Sequence, residues 1–136
     1  MAALAAARST PEKVGAHRAI PLAANAKPFQ GGMVQINAAG YGVAASATAA
    51  NVTVGVAVET VDNTGGANGA VSVKTKRGVY RMANSSAGDL IARSEIGKTV
   101  YVVDDQTVAK TDNTGARPAA GKCFDVDAQG VWVEFL

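Results

Sequence analysis

The sequence is poor in the residues from which most catalytic and metal centres are built. Its 136 residues hold one cysteine, Cys123, and one histidine, His17. A single cysteine excludes an intramolecular disulfide and a cysteine zinc cage. Cys123 lies in the alternating stretch KCFDVD, where packing at a strand or subunit surface is expected in place of nucleophilic chemistry. Charged residues are 18% of the chain, aromatics 5%, and the net charge is +2. No dense Lys/Arg run and no basic stripe interleaved with aromatics occurs, so no nucleic-acid partner is expected. No apolar run approaches the ~18 residues that span a bilayer. The opening MAALAAAR lacks the basic start and strong apolar stretch of a secretory signal. A soluble protein made in a cytoplasm is expected, with no membrane partner and no cofactor.

What the chain does hold is alanine, valine and glycine. Apolar residues reach 48%, but 28 of them are alanines, so the 18 valines and few aromatics must carry the packing. A methyl group buries little area, and so thin a core is helped by self-association.

One stretch imitates a nucleotide site. ARSEIGKT, at 92–99, fits a phosphate loop loosely, with Lys98 and Thr99 in the phosphate and Mg²⁺ positions. A phosphate loop works because its backbone N–H groups open a helix. Here Lys98 is followed by TVYVV and a polar DDQ turn, which reads as a strand, so no nucleotide role is expected. Asp104 and Asp105 are read as solvated turn acids. Asp125 and Asp127 are read as the wet face of a strand whose inner face carries Phe124 and Val126. Lys74, Lys76 and Arg77 end a strand, where they either meet an acidic partner or guard an edge against aggregation. No catalytic residue, and no enzyme, is expected.

Two regions are distinguishable. Residues 1–30 hold three of the four prolines, Pro11, Pro21 and Pro28, without a sustained hydrophobic period. Thr10 and Pro11 have the chemistry of a short helical turn, but the segment as a whole reads as an extended arm. From Met33 the pattern turns to period two. Val52, Val54, Val56 and Val58 alternate with smaller or polar residues, which predicts a strand with all four valines on one face. Val71 and Val73 continue the alternation after a Gly- and Asn-rich turn, predicting a long hairpin. Two further hairpins are predicted, 99–103 with 107–111 and 121–127 with 131–135. Trp132 and Glu134 share the second face of the last strand, and burial of Trp132 against a neighbour is expected. Only 84–95 shows a helical turn. DNTG occurs twice, at 62–65 and 112–115, which turn preference explains more simply than duplication.

From about residue 33 onward the chain resembles the small decoration, or cement, proteins of tailed-bacteriophage capsids. The resemblance is carried by GYGVA at 40–44, the Val-rich run to Glu59, GVY at 78–80, IGKTVYVVD at 96–104 with Thr107 and Val108, and the ending AGK, VD and GVWV between 120 and 133. It implies an all-β fold of antiparallel hairpins, a small partly open barrel or tulip-like domain at 31–136. It also implies a virion protein on the outer capsid surface that bridges neighbouring major capsid subunits, as trimers at three-fold positions. The arm at 1–30 departs from the family core. On this reading Arg8, Lys13, His17, Arg18 and Lys27 would meet acidic capsid patches, and Ile20, Leu22 and Phe29 apolar grooves. Trp132 would serve self-association, and removing residues 1–27 would leave a folded domain. The alternatives are another virion protein, such as a head fibre base or tail component, and a nucleotide-binding protein built on Lys98.

Overall fold

A computed structural model describes residues 2–136. Ten strands follow in order: β1 (His17–Pro21), β2 (Met33–Ile36), β3 (Gly42–Ala44), β4 (Val52–Ala57), β5 (Ser72–Lys76), β6 (Gly78–Asn84), β7 (Thr99–Val102), β8 (Thr107–Ala109), β9 (Ala119–Asp127) and β10 (Gly130–Phe135). The only helical elements among the described residues are single 3-10 turns, Ala87–Asp89 and Arg93–Glu95, where the sequence hints at one. The fold is all-β, as the period-two pattern requires. No helical turn forms at Thr10 and Pro11.

The strands make two bodies. β1-β5-β4-β2-β3 form a five-stranded sheet, and β10-β6-β8-β7-β9 close into a barrel. The barrel is therefore closed where a partly open one was expected. Its closure depends on one parallel contact, Ala83 and Asn84 of β6 against Thr107 and Val108 of β8. The sheet is itself curled, because Leu22, just past β1, bridges to Gly42 of β3. Gly42 permits that approach: a Cβ there would lie 2.8 Å from Ile20 Cγ2.

Each body has its own core. Val100, Val102, Val108, Val131, Val133 and Cys123 fill the barrel together with Ile91 and Phe135. Ile20, Leu22, Val34, Val54, Ala57 and Val73 fill the curled sheet. Met33 and Val56 leave the sheet to join the barrel cluster, and this makes the two cores one continuous packing problem. Valine does most of the packing, as the composition demands.

Two of the three register shifts correct the strict alternation that the sequence predicts. The pairing of β2 with β4 shifts between Val34 and Gln35, so that Val34 faces Gly55 while Gln35 faces Thr53. Val54 is the extra residue. In consequence Val54 and Val56 point into different cores, and Val52 and Val58 are exposed. The four valines do not share a face, because a bulge reverses the side-chain phase. Between β9 and β10 the register shifts again, with Trp132 opposite Asp125 and Val133 opposite Cys123. Phe124 is turned out, 59% exposed, and Cys123 is buried in the barrel. Both expectations, Phe124 inside and Cys123 at a surface, are reversed by that one inserted residue.

The boundary at residue 30 is also corrected. β1 pairs with β5 from His17↔Lys76 to Pro21↔Ser72, and Ile20 and Leu22 are buried. Residues 16–30 belong to the domain. What lies outside it is 2–15, exposed throughout and without regular secondary structure.

Candidate interaction surface

β1 is the end strand of its sheet. Arg77 donates its N–H to the Ala16 carbonyl at 2.8 Å, and Leu22 donates to Val71 at 2.9 Å. With the antiparallel register, these bonds place 16, 18, 20 and 22 toward β5, because paired residues alternate in lateral direction. The backbone N–H and C=O of His17 and Ala19 therefore face outward, while beyond Ile20 the chain runs beside β3, where Leu22 bridges to Gly42 and Ala23 donates to the Gly42 carbonyl at 2.9 Å. Pro21 has no N–H to offer, which ends the usable edge there.

Cations gather on both faces of this edge. His17 stands opposite Lys76 and Ala19 opposite Lys74, on one face. Arg18 and Arg77 take the other, by the alternation of a strand. Lys13, Val14, Gly15, His17, Arg18 and Arg77 line one shallow cleft, and the Arg77 guanidinium donates through Nε to the Gly15 carbonyl at 2.9 Å, strapping the exposed segment to the sheet. Among the described residues, ion pairs engage Lys27, Arg93, Lys98 and Arg117. None engages Lys13, Arg18, Lys74, Lys76 or Arg77. Tertiary structure thus joins the basic run at 74–77 to cations 56 or more residues earlier in the chain. Each group is visible in the sequence, but their meeting is not, since register alone brings them together.

The remaining expected contact residues are dispersed. Arg8 lies in the exposed 2–15 segment. Lys27 Nζ sits 3.7 Å from Asp62 Oδ2 and 5.4 Å from the Phe29 ring centroid, so Phe29, 53% exposed, presents an apolar surface beside an intramolecular pair. Ile20 and Leu22 are not available for grooves on a partner: they fill the protein's own core. Trp132 is half-buried on the outer face of β10. Its Nε1 donates to Asp127 Oδ2 at 2.9 Å, and the Arg81 guanidinium lies 5.8 Å from its ring centroid.

The acids are occupied with turns. Asp127 Oδ1 accepts from the N–H groups of Gln129 and Gly130; the Trp132 indole first, then these amides, hold its carboxyl below the usual range. Asp104 accepts from the Gln106 N–H. Asp125 faces Arg93 at 3.4 Å. Burial, with the charges of Asp125 and Glu95, pushes the Cys123 thiol up, so it stays protonated. Lys98, 66% exposed in its side chain, pairs with Glu95, and a strand follows it, with Gly97 at φ 87° making the turn. Backbone amides near Lys98 serve the barrel: Gly97 donates to Cys123, and Cys123 to Lys98. No group of three or more His, Cys, Asp or Glu among the described residues is placed to hold a metal, and no described helix is long and apolar enough to cross a membrane. Comparison with family models, with curated proteins and with solved structures finds no match.

Proposed function

We propose that this protein is a structural virion component that binds the outside of a tailed-phage capsid shell and bridges neighbouring major capsid subunits. The observation that carries the reading is the β1 edge: a strand paired on one side only, with cations on both faces, from which an exposed segment of fourteen residues bearing Arg8 and Lys13 emerges. A two-core body holds the edge, and the segment extends its reach. The all-β fold implied by the resemblance supports the same reading.

Such a protein stabilises a shell by being parted only when the shell parts. Many weak copies add through multivalency, and an extended segment covers much surface per residue at an entropic cost. On this reading the chain acts as a trimer at three-fold positions, formed in solution or on the shell, and carries out no chemistry. The test is co-sedimentation of the full chain with phage shells lacking it, followed by a map of the particle. Density on the outer surface across capsid subunits is expected. Density confined to a tail or to a fibre base would transfer the protein to another part of the virion, and failure to bind any shell would overturn the reading.

A further inference from the structure

We infer that the open edge of β1 receives an extended, acid-bearing segment of a partner protein, which adds to the sheet as a sixth strand. This deepens the capsid reading and rests on it for where the partner is found.

Three observations converge. First, the edge offers backbone groups that a strand needs: the N–H and C=O of His17 and of Ala19, directed away from β5 and short of the stretch that β3 covers at Leu22. Strand addition draws its affinity from such bonds and its selectivity from alternate side chains. Second, a strand laid there sets its side chains beside His17, Lys74 and Lys76 on one face and beside Arg18 and Arg77 on the other. Carboxylates on one face meet Lys74 and Lys76 and on the other Arg18 and Arg77, and none of these four carries an ion pair among the described residues. Third, the same charge argues against a second copy as the occupant. Two β1 edges side by side would bring Arg18 and the lysines of both together, and charged edges deter that pairing. A nucleic acid also meets cations, but it has no peptide groups for the edge and would find no aromatic platform among these residues.

The edge is short, so the added strand is anchored by few backbone bonds and needs the charges. That makes the interaction dependent on both features at once. Full-length protein, with no shell present, is titrated with a labelled peptide of alternating Glu and Val and with its Lys-for-Glu counterpart. The Glu peptide should bind saturably and the Lys peptide should not, with affinity falling about tenfold or more as salt rises from about 0.05 to about 0.5 M. Bound peptide should protect the His17 and Ala19 amides from hydrogen exchange in the unaltered protein. Ala19→Pro removes an outward N–H while leaving the β5 ladder bonds in place, and should weaken binding about tenfold; Ala19→Val should not. The inference is overturned if no Glu peptide binds, if the bound peptide leaves both amides unprotected, or if single-stranded DNA is captured in preference to the peptide. The exchange measurement decides even if Ala19→Pro fails to fold. Because the titration contains no shell, its failure removes strand addition alone and leaves shell binding to the co-sedimentation test.

Discussion

At the scale of single residues, stability rests on a few polar side chains that the core encloses completely. Gln35 is fully buried in β2. Its Oε1 accepts from Ser46 N and Asn51 Nδ2, and its Nε2 donates to the Ser46 carbonyl and, at 3.4 Å, to Thr53 Oγ1. Gln35→Leu is volume-tolerant but strands buried partners. It should lower unfolding free energy by roughly 2–3 kcal/mol, read as a lower denaturant midpoint at unchanged slope. Asn63 does comparable work by donating Nδ2 to the carbonyls of Ala23 and Ala67. Its counterpart in the second DNTG, Asn113, is exposed at φ 50°, so one tetrapeptide adopts two conformations. Acid should expose another set. Thr111 and Arg117 hold the Asp89 carboxyl low, the Thr64 hydroxyl and amide do so for Asp62, and Trp132 for Asp127. Groups depressed in the folded state stabilise it above the ordinary aspartate value, ~3.9, and lose that contribution as pH falls through the depressed values. Chemical denaturation should therefore show a stability plateau at neutral pH and a fall below about pH 4, shallower in Asp127→Asn than in the parent protein.

Elements are decided by bulges and by one edge. Gly55 sits at φ 153° in the β4 bulge, and a Cβ there would lie 2.8 Å from the Lys76 carbonyl oxygen. Gly55→Ala should cost about 2 kcal/mol or more, since both strain and overpacking oppose it, and thermal unfolding would measure it. Conversely, an alanine at Gly31, also at positive φ but with nothing within 4 Å, should cost only the conformational term, about 1 kcal/mol. β1 makes the sharper case. Deleting 2–14 should leave melting temperature nearly unchanged, because those residues are exposed. Deleting 2–27 should abolish cooperative unfolding, because it removes Ile20 and Leu22 from the sheet core together with the β5 partner. A folded product of the longer deletion would place the domain boundary back near residue 30.

For the molecule as a whole, the two bodies share packing through Met33 and Val56, and Met33 N–H donates to the Asp105 carbonyl at 2.8 Å. Loss of either core should therefore be felt in the other. Val56→Ala is expected to shift sheet and barrel reporters together by roughly 1–3 kcal/mol, with hydrogen exchange on both bodies as the check. Self-association belongs to this scale too. Light scattering of the free protein, or a particle map, should give three times the 13.7 kDa chain mass or three adjoining copies. Isolated monomers in both would remove the trimer from the proposed function while leaving the docking edge intact.

Much of this was legible before the fold was known. Period-two valines, Asn- and Gly-bearing turns and the strand after Lys98 determine an all-β chain with three hairpins, because alternation and turn chemistry act within a few residues. The absence of any helix after Lys98 likewise follows from local sequence. Tertiary structure alone decided which valines share a core, that Phe124 faces out and Cys123 in, that β1 belongs to the sheet, and that Lys74, Lys76 and Arg77 join His17 and Arg18. The physical reason is common to all four. Each depends on strand register, a single inserted residue reverses every side chain beyond it, and register is set by partners that lie far away in the chain.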